Sequence, residues 1–93
     1  MILPSLDEFK ASAVAKGCTE VIVREWTPNQ EVDEHTHPFK ADALIVQGEM
    51  WLIVNSQSQH LCVVDTFHLE PHVPHSEKYG PQGATYWVAR TNA

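Results

Sequence analysis

The sequence predicts an all-β, antiparallel sandwich or barrel with one amphipathic helix at its N-terminus. After Gly17, segments rich in β-branched and aromatic residues recur at short and regular intervals, and turn residues separate them. No helical pattern alternates with these segments, which excludes a parallel α/β sheet. The 93 residues suit one domain with a modest core, so we expect a single domain over residues 1–93.

The N-terminal helix is predicted over residues 5–16. Ser5 and Glu8 have the spacing of a capping box, and Gly17 is a natural residue to follow the last turn. An apolar stripe recurs at helical spacing and consists of Leu6, Phe9, Ala13 and Val14. Because a helix this short is marginal alone, we expect its stripe to pack against the sheet.

About eight short strands are predicted between residues 19 and 90. The clearest cover 19–26, 31–37, 43–47, 49–54, 60–64, 66–69 and 84–90. Gly48 is predicted to turn the chain between two of them. Pro71 and Pro74 indicate an irregular connection, and residues 79–83 are predicted to form a loop.

The strand predicted over 49–54 is apolar on both faces, with Trp51 and Ile53 on one face and Met50, Leu52 and Val54 on the other. One face can fill the interior. The helix or a second subunit must then cover the other face. We therefore predict a homodimer.

Composition and charge limit the possible partners. The net charge is −6 and Lys and Arg form no cluster, so we expect neither nucleic-acid nor membrane binding. No apolar run approaches the roughly 20 residues that span a bilayer. Because the N-terminus lacks signal-peptide features, we expect a cytoplasmic protein in which Cys18 and Cys62 are reduced and mostly buried.

A histidine pair followed by a distant third histidine is the strongest functional signal. His35 and His37 point the same way if the chain is extended there, so both imidazoles can reach one ion. Protein metal sites use three or four ligands. His75 is the best third candidate, because Pro71 and Pro74 stiffen the chain that leads to it and hold its imidazole in place at low entropic cost.

At these residues the chain resembles a cupin. His35, His37 and Gly48 match the first cupin motif, G-x5-H-x-H-x3-or-4-E-x6-G. Val73-Pro74-His75 resembles the V-P-H ending common in the second motif. The resemblance implies an antiparallel double-stranded β-helix, or jelly-roll barrel, over about residues 19–90. It also implies a metal in the barrel interior.

The cupin glutamate is missing, which leaves the fourth ligand open. The position falls at Ala41, which cannot bind a metal, or at Asp42, which can. Asp42 could equally be a solvated carboxylate beside Lys40. His72 is a second candidate, although it too could face solvent, and water is the third.

We interpret the chain as a small metal-binding cupin that also binds a small polar organic ligand. Three imidazoles and an open position suit Zn, Fe, Mn, Ni or Cu. One alternative is a metal-dependent enzyme, of dioxygenase or isomerase type, acting on a small organic acid or sugar derivative. Another is a metal-free ligand-sensing module. Catalytic residues are unknown, with Lys40, Asp42, Glu49 and Tyr79 as the acid or base candidates.

Overall fold

The computed structural model describes residues 3–92. This part of the chain contains one helix, α1 (Leu6–Ala15), and six strands. The strands are β1 (Glu20–Trp26), β2 (Glu31–His35), β3 (Phe39–Val54), β4 (Gln57–Cys62), β5 (Thr66–Leu69) and β6 (His75–Asn92). No helix within these residues has the length and apolar character needed to cross a membrane.

The helix begins with the predicted capping box. The Ser5 hydroxyl accepts a hydrogen bond from the Glu8 amide at 3.1 Å, and the Glu8 carboxylate accepts one from the Ser5 amide at 2.8 Å. Phe9 packs on Trp87, with ring centroids 5.8 Å apart. Val14 remains 66% exposed, so the sheet covers only part of the predicted stripe.

Two long strands, β3 and β6, organise the sheet because each pairs with a different strand along each half. The first half of β3 pairs with β5 and its second half with β4. The first half of β6 pairs with β2 and its second half with β1. Since β3 and β6 also pair with each other throughout, the antiparallel strands form two connected layers, the arrangement of a jelly roll.

The sheet is not closed into a complete barrel. Its hydrogen-bonded path runs β1-β6-β3-β4, and among residues 3–92 no pairing joins β1 to β4. The interior is filled from both layers by the buried residues Ala41, Ala43, Ile45, Met50, Leu52, Leu61, Phe67, Leu69, Tyr79, Ala84, Tyr86 and Val88.

The predicted turn at Gly48 and loop at 79–83 are wrong, because both lie inside continuous strands. Along β3 and β6 the paired residues change from Gly48 and Ala84 to Met50 and Tyr79. Residues 80–83 of β6 therefore lie opposite a single residue of β3, Glu49. This irregularity is a corner where both long strands bend. Glycine and proline indicated a chain reversal, but the hydrogen-bond ladder resumes on the far side.

Candidate metal centre

The fold brings the three predicted histidines together. His35 at the end of β2 and His75 at the start of β6 are direct partners across antiparallel strands. Their ring centroids lie 4.3 Å apart, and the ring of His37 lies 4.9 Å from His35 and 4.7 Å from His75. One ring nitrogen from each residue lies within 4.8 Å of the other two.

Backbone carbonyls set the tautomers of two of these imidazoles. The carbonyl of Asp33 accepts a hydrogen bond from Nδ1 of His35 at 2.8 Å, and the carbonyl of Val73 accepts one from Nδ1 of His75 at 2.9 Å. Because the proton is then on Nδ1, the Nε2 atom of each ring carries a free lone pair. In metal sites, a hydrogen bond from the ring nitrogen that does not bind the metal orients the histidine ligand in this way.

His37 is held by stacking and is biased toward its neutral form. Its ring stacks on Phe39, with centroids 4.7 Å apart and an interplanar angle of 12°. Burial lowers the pKa of His37 below its ordinary value, and the neighbouring His75 and His35 lower it further. A lowered pKa leaves the imidazole unprotonated at neutral pH, the form that binds metals.

A buried carboxylate that the sequence analysis missed lies beside the histidines. Glu77 is 6% exposed, and its Oε2 atom lies 3.6 Å from Nε2 of His35. Its Oε1 atom accepts hydrogen bonds from the hydroxyls of Tyr79 at 2.6 Å and Tyr86 at 3.2 Å. One carboxylate oxygen is therefore satisfied by the protein, and the other faces the histidine group.

The two tyrosines remain donors to this carboxylate. Burial, with the charge of Glu77 as a smaller cause, raises the pKa of Tyr86 to about 12. Burial also raises the pKa of Tyr79 far above its usual range. Both hydroxyls thus keep their protons at any physiological pH and donate them to the Glu77 carboxyl group.

The signal that could have found Glu77 is a period of two in the segment His75-Ser76-Glu77-Lys78-Tyr79. Alternate residues of a strand share a face, so Glu77 had to point with His75 if the strand began at His75. The two nearby prolines and the following glycines led instead to an irregular connection and a loop.

The structure places the two predicted fourth ligands away from the histidines. Asp42 alternates with the buried Ala41 and Ala43, so it points outward, where its carboxylate lies 2.6 Å from Nδ1 of His68. His72 is exposed, and its amide donates to the carbonyl of His37 at 2.7 Å. Neither belongs to the histidine group, and the buried carboxylate that lies beside His35 is Glu77.

A separate groove lies on the outside of the sheet. It has a volume of about 750 Å³ and lies between α1 and the outer face of β3, β5 and β6, with Phe9, Lys16 and His68 among its walls. None of the three histidines lines it.

The donor set and its spacing fit one divalent transition metal. Nitrogens bound to one ion at about 2.0–2.1 Å lie roughly 3.0–3.4 Å apart, so small ring rotations bring the three imidazoles to binding distance. Three imidazoles and one carboxylate are ligands that suit Zn, Fe, Mn, Ni or Cu.

Comparisons with known proteins identify the fold. No protein-family model and no curated protein matches the sequence. Among solved structures, an RmlC-like cupin from Shewanella frigidimarina is 25% identical, with a TM-score of 0.66 over 80% of this chain and 68% of that one. A structure of the DMSP lyases RdDddP and RnDddQII is 20% identical, with a TM-score of 0.73 over 78% of this chain.

A third similar structure is KdgF from a Halomonas species, which is 15% identical with a TM-score of 0.67 over 78% of this chain and 68% of that one. The present chain spans 38% of the DMSP lyase chain. The two-layered antiparallel sheet with histidines at its interior thus defines the jelly-roll class. Within that class the chain has the fold of a small cupin domain, as the resemblance implied.

Proposed function

We propose that the protein is a metal-binding cupin domain that holds one divalent transition metal with His35, His37 and His75. The observation that carries this proposal is the convergence of three imidazoles, two of which have Nε2 lone pairs fixed by backbone hydrogen bonds. A bound ion would supply Lewis-acid chemistry and a site for a small polar organic ligand.

Glu77 completes this proposal as the anionic group of the site. It lies 3.6 Å from Nε2 of His35 and is buried, so it can reach an ion held by the histidines with a small movement. An anionic ligand offsets part of the charge of a divalent cation. We therefore assign the fourth position to Glu77 rather than to Asp42, His72 or water alone.

The same carboxylate favours a second candidate, a metal-dependent enzyme of dioxygenase or isomerase type. Such an enzyme needs an acid or base beside the open position, and in that case Glu77 would serve as this base instead of as the fourth ligand. The similar structures include proteins named as lyases. The reacting molecule would be a small organic acid or sugar derivative.

Elemental analysis of protein purified without added metal tests the metal site. We expect the His37→Ala and His75→Ala variants to lose one equivalent of transition metal per chain relative to the wild type. The exposed His68→Ala variant is the matched control and should retain it. A wild type without stoichiometric metal, whose His37→Ala variant folds equally well, would contradict the proposal and leave the metal-free sensing module.

The role of Glu77 can be tested separately. Glu77→Gln keeps an oxygen that accepts from Tyr79 and Tyr86 but removes the charge, so we expect the fold to persist. The Kd for Zn²⁺, measured by competition with a chelating dye, should rise by about 10- to 100-fold. Glu31→Gln on the same strand pair is the exposed control, and equal affinities in both variants would exclude Glu77 from the site.

Two further features remain predictions. We infer a homodimer, because α1 packs against β1 and β6 and does not cover the outward, half-buried Trp51 and Ile53 of β3. We also infer a cytoplasmic location, because Cys18 and Cys62 are free thiols. The prediction that both thiols are mostly buried is wrong for Cys62, which is exposed.

A further inference from the structure

A second group of metal-ligating side chains lies on the outer face of the β3–β4 strand pair. Glu49 and Cys62 are direct partners across these strands, and His60 shares their face two residues before Cys62. Nε2 of His60 lies 2.7 Å from Oε2 of Glu49 and 3.6 Å from Sγ of Cys62. One ligand atom each of a carboxylate, an imidazole and a thiol therefore lies within 4.8 Å of the other two.

This cluster is separate from the interior histidines. Met50 follows Glu49, and Leu61 lies between His60 and Cys62; both are buried in the core. Since side chains alternate across a strand, Glu49, His60 and Cys62 point to the opposite side of the sheet. The cluster also differs from the interior histidines in its chemistry, because it contains a thiol and the histidine group does not.

The surrounding residues hold the three side chains in place. Trp51 stacks on the His60 ring, with centroids 4.7 Å apart and an interplanar angle of 13°. Asp65 accepts a hydrogen bond from the Cys62 amide at 2.8 Å. A Cβ atom at Gly80 would lie 2.5 Å from Cγ of Glu49, so the glycine leaves the space that the glutamate occupies. Packing thus organises the cluster before any ligand arrives.

The geometry argues against a cysteine nucleophile of the triad type. In such a triad the imidazole contacts the thiol through one nitrogen and the carboxylate through the other. Here Glu49 and Cys62 both approach Nε2 of His60. One nitrogen cannot relay a proton between them, whereas an ion needs all three ligand atoms on the same side.

The distances agree with a zinc-type coordination sphere. Tetrahedral bonds of standard length place sulfur and nitrogen ligands about 3.5 Å apart, and nitrogen and oxygen ligands about 3.4 Å apart. The separation of 3.6 Å between Cys62 and His60 already matches. The carboxylate of Glu49, at 2.7 Å from His60, has only to move outward by a fraction of an ångström.

We propose that Glu49, His60 and Cys62 form a surface site for a divalent transition metal, with zinc as the preferred ion and the fourth position open to solvent. A thiolate with an imidazole selects zinc-type ions over Mg²⁺ and Ca²⁺, which prefer oxygen ligands. Binding displaces the thiol proton, so the ion also protects the exposed Cys62 from oxidation.

Cobalt(II) titration tests this site independently of the interior one, because a Co²⁺–thiolate bond gives a near-ultraviolet charge-transfer band that imidazole and carboxylate ligands do not give. We expect Co²⁺ added beyond the one equivalent that the interior histidines can hold to produce the band in the wild type. In His37→Ala the first equivalent should produce it, and Zn²⁺ should remove the band in both proteins. The band should be absent in Cys62→Ser and retained in Cys18→Ser, the matched control.

Glu49→Gln and His60→Ala keep the thiol and test its partners. Both should fold, as checked by circular dichroism, and bind Co²⁺ more weakly by about tenfold or more, which corresponds to about 1.4 kcal/mol. The absence of the band in the wild type overturns the proposal. A band that persists in Cys62→Ser would also overturn the proposal. Unchanged Co²⁺ affinities in both Glu49→Gln and His60→Ala would overturn it as well.

Discussion

The exposed ion pair of His68 and Asp42 makes the stability of the fold depend on pH. The hydrogen bond that His68 donates to Asp42 is the main cause that raises the pKa of His68 above its ordinary value of 6.5, and Glu70 raises it further. A histidine whose pKa is higher in the folded state than in the unfolded state stabilises the fold fully at pH values below its unfolded-state pKa. This contribution is lost as the pH rises through its folded-state pKa.

We therefore expect Asp42→Asn to lower the free energy of unfolding more at pH 6 than at pH 9. The pair is about half exposed, so the difference should stay under about 1 kcal/mol. Urea unfolding at the two pH values, together with an NMR titration of His68, measures both effects. Glu25→Gln is the exposed control. An unchanged His68 titration in Asp42→Asn would contradict this account.

Single residues also show what the sequence could and could not predict about the site. His35, His37 and His75 were identifiable because the pair has strand spacing and the third follows at the separation seen in cupins. Glu77 was not, because its position depends on where β6 begins, and local proline and glycine signals outweighed the alternation that places it beside His75. Asp42 has suitable chemistry, but strand alternation turns it to the outer face.

Two long, bent strands, β3 and β6, determine how the other elements of this fold are arranged. The sequence predicted the helix to within one residue at each end, and β5 at the bounds observed, because caps and alternation are local signals. It divided β3 and β6 into shorter pieces. The pairing that carries each strand past its corner comes from residues more than 30 positions away, such as Gly48 and Ala84, and no local pattern records it.

The corner between β3 and β6 depends on glycine at position 48. Gly48 has φ +76°, and a Cβ atom there would lie 2.1 Å from the carbonyl oxygen of Gly83. Gly48→Ala should therefore lower the free energy of unfolding by more than about 2 kcal/mol, from the left-handed backbone and the clash together.

Gly17→Ala is the matched control for this change. Gly17 also has a positive φ, of +92°, but no atom lies within 4 Å of the added Cβ. Only the backbone cost remains, at about 1 kcal/mol. Denaturant midpoints of the two variants measure the difference, and equal losses of stability would show that close packing at the corner does not matter.

The molecule has one interior and two outer faces, and the helix packs against one of these outer faces. The layer of β1 and β5 has α1 against it, with Phe9 packed on Trp87. On the other layer, Trp51 and Ile53 are half-buried, and Trp51 is covered by His60 alone among the contacts described. The fold class followed from strand spacing and turn residues, but which face the helix covers follows from three-dimensional packing.

The uncovered face leads to the prediction of a homodimer. A second copy placed on Ile53 would remove its apolar surface from water, which favours association. Ile53 lies about 13 Å along the strand from Glu49, so such a contact at the far end of β3 leaves the Glu49, His60 and Cys62 cluster accessible.

Light scattering on a sizing column measures this directly. We expect the wild type to have twice the chain mass of 10.5 kDa, and Ile53→Glu to have the mass of one chain, because a buried carboxylate without a partner opposes association. Val23→Glu, at a residue 43% exposed on the other layer, is the matched control and should remain dimeric. A wild type with the mass of a single chain would contradict the prediction, and the outer face of β3 would then be solvent-facing in the functional state.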